Sequence, residues 1–145
     1  MNLAYAYPKS RFEPVVLIDL NSKSERERLS KSALKGFFNL IEKWGVRDED
    51  ARELLGGLSS SAFYDWKKKP DRILEVDRIT RVSYLIGIYK ALHIIYGDKL
   101  ADKWVTLPNK NVIFVGRTPL EFMLVGGVIA MQTVRALLDA RRGGL

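Results

Sequence analysis

Apolar residues recur along most of this chain at spacings of three and four, the pattern of helices with one buried face rather than of alternating strands. Leu34, Phe37, Phe38 and Ile41 follow i, i+3, i+4, i+7, and Leu29 and Trp44 extend the stripe. This predicts a first helix from about Ser24 that Gly45 ends. A short second helix is expected from Asp48. Glu49 and Asp50 put negative charge beside its positive end, and Ala51, Leu54 and Leu55 form its inner face. Gly56-Gly57 stops it, Ser59 is a suitable N-cap for a third helix, and Pro70 closes that helix after Lys69.

The pattern then changes. From Val76 to Tyr96, Ile79, Val82, Leu85, Ile86, Ile88, Tyr89, Leu92, Ile94 and Ile95 cover nearly the whole circumference of a helix. Such a helix must be buried on several sides, which in a chain of 145 residues suggests a central element, shared with a second subunit. Gly97 ends it, and Asp98 is expected to cap a further helix through Trp104 and Val105. Asn109 to Gly116 reads as a connector in which Val112-Ile113-Phe114-Val115 suits a short extended piece. Thr118-Pro119-Leu120-Glu121 carries the features of a capping box, with proline at the first helical position. That helix is expected to break at Gly126-Gly127 and resume from Val128 to about Ala140. At the other end, residues 1–20 form an N-terminal arm or tail, in which Pro14 to Ile18 suits either a short strand or an arm docked on a partner.

Composition narrows the class. Apolar residues make up 47% of the chain, ordinary for a folded protein. The net charge of +7, from 24 Lys+Arg against 17 Asp+Glu, favours a polyanionic partner such as DNA. Cysteine is absent, which excludes disulfides and thiolate metal sites and fits a reducing cytoplasm. Val82–Tyr96 is interrupted by Lys90 and His93, and Leu120–Val134 by Glu121 and the glycine pair. Neither offers the uninterrupted ~18–20 apolar residues of a spanning helix, so no membrane is expected and both read as core or interface helices.

Enzyme chemistry has no foothold. His93, the single histidine, falls in the apolar helix and reads as a satisfied core or interface residue. The serines have no His partner, no glycine-rich loop stands between a strand and a helix, and no cofactor or metal ligand set is present.

Two short helices joined by a glycine turn and packed on a longer preceding helix form a helix-turn-helix, and residues 33–69 fit that arrangement. Ala62, Phe63 and Trp66 share the inward face of the third helix, so Trp66→Ala is expected to unfold this lobe. Ser59, Ser60, Ser61 and Tyr64 lie where base edges would be read, and Lys67 and Lys68 suit phosphates. The plainer alternative is a three-helix bundle whose lysines form a solvated helix end.

From Leu29 onward, about four-fifths of the chain, the sequence resembles the Xre/MbcA/ParS-type antitoxins. The shared features are Trp44-Gly45-Val46, Leu54-Leu55-Gly56, the segment Ser59 to Trp66, Tyr96-Gly97-Asp98, Trp104 with Leu107-Pro108-Asn109, Gly116-Arg117-Thr118-Pro119-Leu120, and Gly126-Gly127. The resemblance implies an all-α protein: a helix-turn-helix domain over residues 21–75 joined to a helical toxin-binding domain over 76–145. It further implies a homodimer that occludes the active site of a cognate RES-type toxin, which consumes NAD or transfers ADP-ribose from it, and that represses its own operon by binding operator DNA. Carried over, Trp104, Asn109, Arg117, Arg135, Arg141 and Arg142 are the candidate toxin-binding residues. For Arg141 and Arg142, complementation of a helix C-terminus is an equally good account. Asn111 to Val115 departs from the family by being more apolar than the polar turn expected there. A stand-alone helix-turn-helix regulator and a protein-binding adaptor are the alternatives.

Overall fold

The computed structural model describes residues 19–143, so the segment Pro14 to Ile18, with its strand or docked-arm reading, lies outside the described residues. The described residues form six α-helices and no strand. They are α1 (Lys23–Trp44), α2 (Asp48–Leu54), α3 (Ser60–Lys68), α4 (Val76–Tyr96), α5 (Asp98–Trp104) and α6 (Pro119–Arg142). The all-α expectation holds, and the element boundaries follow the local signals closely.

The first helix is capped by Ser22, whose hydroxyl accepts from the Glu25 N–H, and it buries Leu34, Phe37, Leu40, Ile41 and Trp44. It ends in a left-handed Gly45. On α3 the Ser59 hydroxyl accepts from the Ala62 N–H at 3.2 Å. The turn between α2 and α3 is held from within by Arg52, whose Nε donates to the Leu58 carbonyl at 2.8 Å. Phe63 is buried and meets Phe38 edge-on at 5.4 Å, which fixes α3 against α1. Trp66 does not fill the core as expected. It is half-buried, with the Arg78 guanidinium 5.7 Å from the ring, so its truncation removes a covered edge of the lobe rather than its centre.

The hub of the molecule is α4. It packs against α1, α5 and α6, and buries Ile79, Val82, Leu85, Ile88, Ala91 and Leu92. Each of the valine, leucine and isoleucine side chains among them contributes about 1.5–3 kcal/mol by leaving water. Most of the apolar pattern is thus satisfied within one chain, and of the large apolar side chains on α4 only Val76 and Ile94, near its two ends, stand exposed. Gly87 has no side chain because Arg135 of α6 lies across it: a Cβ built there would come within 1.2 Å of the guanidinium.

Two expectations in the second half are corrected. Gly97, not Asp98, occupies the N-cap of α5, and the Asp98 carboxylate instead meets His93. Val112–Phe114 is a turn of 3-10 helix rather than an extended piece. Asn111 caps it by accepting from the Ile113 N–H, Phe114 is buried against Trp104 and Phe122, and Val112 stands 86% exposed.

The capping box of α6 forms as expected: the Thr118 hydroxyl accepts from the Glu121 N–H, and Glu121 accepts from the Thr118 N–H, each at 3.1 Å. The helix is broken at Gly127, whose φ of 63° and ψ of −141° only glycine adopts readily. By length and composition α6 is long and apolar enough to cross a membrane, and only 22% of its most apolar stretch is buried. One face nonetheless packs on α4 through Met123, Ala130, Met131, Val134 and Leu138.

Candidate nucleic-acid and partner interfaces

The outward face of α3 is assembled from Ser60, Ser61, Tyr64, Lys67 and Lys68, all exposed. Periodicity brings them together, and the cap at Ser59 sets where the helix begins, so Ser59 itself is committed to capping. Tyr64 is 47% exposed but is not free: its hydroxyl donates to Asp48 Oδ2 at 2.7 Å, tying the middle of α3 to the start of α2. The hydrogen bond, followed by the charge of the Asp48 carboxylate, raises the phenol above its ordinary pKa. Lys67 lines a cleft whose floor includes Phe38, Ile41 and Phe63. The start of α2 is acidic: Asp48, Glu49 and Asp50 occupy its first turn, with Arg47 paired to Glu49 and Asp50.

The second set of candidate residues does not form one patch. Trp104 is buried, meeting Phe114 edge-on at 6.0 Å, so it supports the domain from inside and offers no surface to a partner. Asn109 shapes the connector, its side chain accepting from the Asn111 N–H at 2.9 Å. Arg117 is exposed beside the N-terminus of α6. Arg135 is paired with Asp139 at 2.9 Å, and Arg141 donates to the Tyr96 hydroxyl at 2.5 Å. Arg142 is exposed at the helix end. What periodicity did not single out is the apolar surface of the same half. Val115 is 77% exposed, Val125 72% and Ile129 77%, with Leu107 and Val112 also in solvent. Val125 and Ile129 stand on either side of the break at Gly127, so helical spacing does not relate their directions and periodicity could not mark them.

His93 bridges two acids, with Nδ1 2.8 Å from Asp98 and Nε2 2.9 Å from Asp102, while its ring lies tilted by 40° against Tyr89 with the centroids 4.3 Å apart. Burial lowers its pKa, but the two carboxylates outweigh that and raise it above the ordinary value. With a carboxylate at each nitrogen the ring clamps α4 to α5, and its protonated form is the one this arrangement favours.

Comparison with known proteins bears on both surfaces. Residues 23–87 match the model of the antitoxin Xre-like helix-turn-helix domain, and residues 91–144 match that of the antitoxin Xre/MbcA/ParS C-terminal toxin-binding domain. The chain belongs to the Xre/MbcA/ParS antitoxins. The two matches meet inside α4, the helix on which both halves of this antitoxin pack. A relative from Sinorhizobium fredii (strain NBRC 101917 / NGR234), named "Uncharacterized protein y4oB", is 38% identical over 112 residues, covering 77% of this chain and 84% of its own. No solved structure matches this chain. The antitoxin therefore has a toxin as partner and a helix-turn-helix for DNA, and neither of its domains is enzymatic.

Proposed function

We propose that this antitoxin neutralises a RES-type, NAD-consuming toxin in the cytoplasm by covering its active site, and that it represses its own operon through α3. One observation carries the first part. The segment matching the toxin-binding domain is also where this chain leaves large apolar side chains in water, at Leu107, Val112, Val115, Val125 and Ile129. Apolar surface of this kind is removed from water when a partner docks.

In the same half of the chain, Arg117 and Arg142 are exposed cations suited to toxin carboxylates, whereas Arg135 and Arg141 must first exchange Asp139 and Tyr96 for the toxin. Trp104 and Asn109 serve the same interface indirectly, by holding the 3-10 turn that presents Val112 and Val115. The antitoxin acts as a homodimer in this reading, and sedimentation at micromolar concentration checks it.

Repression follows from the α3 face. Ser60, Ser61 and Tyr64 address base edges while Lys67 and Lys68 take phosphates. A second reading, in which the helix-turn-helix makes only protein contacts, draws on Asp48, Glu49 and Asp50, which put negative charge where the first helix of such a motif crosses the phosphate backbone. Salt separates the two: a DNA binder loses log K against log salt with a slope of about −0.9 per phosphate contact.

Co-expression with the adjacent open reading frame tests the antitoxin reading. A toxic neighbour, growth rescued by this chain and a complex surviving purification are the expected results. No toxicity and no complex would overturn it in favour of a stand-alone regulator.

A further inference from the structure

The recognition face carries an asymmetry that bears on which chemical group it reads. A carboxylate accepts hydrogen bonds and does not donate them. The 2.7 Å contact between the Tyr64 hydroxyl and Asp48 Oδ2 therefore has one polarity: the phenol's single proton points at Asp48. What Tyr64 turns outward is an oxygen with lone pairs and no hydrogen. Ser60 and Ser61, one turn earlier on the same face, are hydroxyls that either donate or accept. The raised pKa of the phenol agrees with this arrangement, because the neutral form keeps its proton against Asp48.

We propose that Asp48 sets Tyr64 as an acceptor-only reader, so that Tyr64 recognises an exocyclic amino group in the major groove, adenine N6 or cytosine N4. Guanine N7 and O6 and thymine O4 are acceptors there and give an outward lone pair nothing to bind. Asp48 is the positioning residue in this pair and Tyr64 the one that touches the base. The inference rests on the reading of α3 as a DNA-recognition helix and adds the base chemistry to it.

The test uses the full-length protein and a randomised duplex library with fixed flanks, selected in parallel on wild type and Tyr64→Phe. The phenylalanine variant removes one exposed oxygen, so it should retain wild-type helicity. It is expected to lose roughly five- to tenfold discrimination at one position of the enriched site and none elsewhere. The base pair at that position is then rebuilt without its amino group, as purine for adenine or 2-pyrimidinone for cytosine, and separately with the 7-deaza purine. Removing the amino group should weaken wild type and leave Tyr64→Phe unchanged, while the 7-deaza purine should affect both alike. Asp48→Ala frees the phenol proton, and its binding should become sensitive to the 7-deaza purine.

Enrichment by wild type with the same preferences in Tyr64→Phe would overturn the inference and leave DNA reading standing. So would a Tyr64-dependent loss that follows the acceptor atom instead of the amino group. A wild-type protein that enriches no sequence overturns the DNA reading and this inference together.

Discussion

Helices α4 and α6 look alike on paper and end up in opposite situations. They span 21 and 24 residues, and each carries apolar side chains around most of its circumference. α4 is enclosed by α1, α5 and α6 along its middle, so most of its apolar surface is consumed within the chain and only Val76 and Ile94, near its ends, are exposed. α6 lies against α4 and touches α2, and is bent at Gly127, with Val125 before the bend and Ile129 after it left in water. The difference teaches that an apolar pattern reports how much surface wants covering and says nothing about who covers it. For α4 the cover is internal. For α6, in a segment that matches a toxin-binding domain, the cover we propose is the toxin.

The contrast can be broken first at its strongest point. Leu85 is fully buried on α4, and Leu85→Ala should cost about 2–5 kcal/mol in urea denaturation. A cost within about 0.5 kcal/mol, the range usual for surface positions, would mean that α4 is not enclosed as described. Next comes the start of α6: Thr118→Ala removes the hydroxyl that accepts from the Glu121 N–H and should cost about 1 kcal/mol by the same measurement. Glu121, whose carboxyl is held below its usual range chiefly by the Thr118 backbone N–H, loses its part of this box as pH falls through that lowered pKa.

A smaller effect is expected at the junction of α4 and α5. The folded pKa of His93 is raised, so the clamp contributes fully below the unfolded value of about 6.5 and is lost as pH rises through the folded one. Urea midpoints of wild type should fall relative to His93→Gln across that window, and parallel profiles would show that the imidazolium contributes nothing. Smallest of all is Ile129→Asp, which should leave stability within about 0.5 kcal/mol, because that side chain is already in water.

Most of the fold was legible because its signals are local. The stripe from Leu34 to Ile41, the caps at Ser59 and Thr118, and the glycines after α1, α2 and α4 all act within a few residues. What escaped is decided across the chain. Ser30 looks like an ordinary helix residue, yet it is buried, and its hydroxyl accepts from the Leu74 N–H at 2.8 Å, pinning the segment between α3 and α4 onto α1. The Tyr64–Asp48 bond spans 16 residues, and the Arg141–Tyr96 bond spans 45. Asp98 resembles a cap because aspartate is a good one, but the helix starts at Asp98 itself with Gly97 at the N-cap, and the carboxylate meets His93 five residues earlier. The proposed recognition face was readable as a set of positions and the proposed toxin face less so. Trp104 had the identity of a contact residue and the position of a core one, while Val125 and Ile129 had the reverse.

The measurement that tests the account most directly is growth rescue in cells expressing the neighbouring toxin, comparing wild type, Ile129→Asp and the pair Lys67→Ala with Lys68→Ala at matched protein levels. Rescue should be lost with Ile129→Asp, although that variant folds, and kept when the two lysines are removed. Full rescue by Ile129→Asp, or loss of rescue on removing the lysines alone, would contradict a toxin interface on the open face of α6.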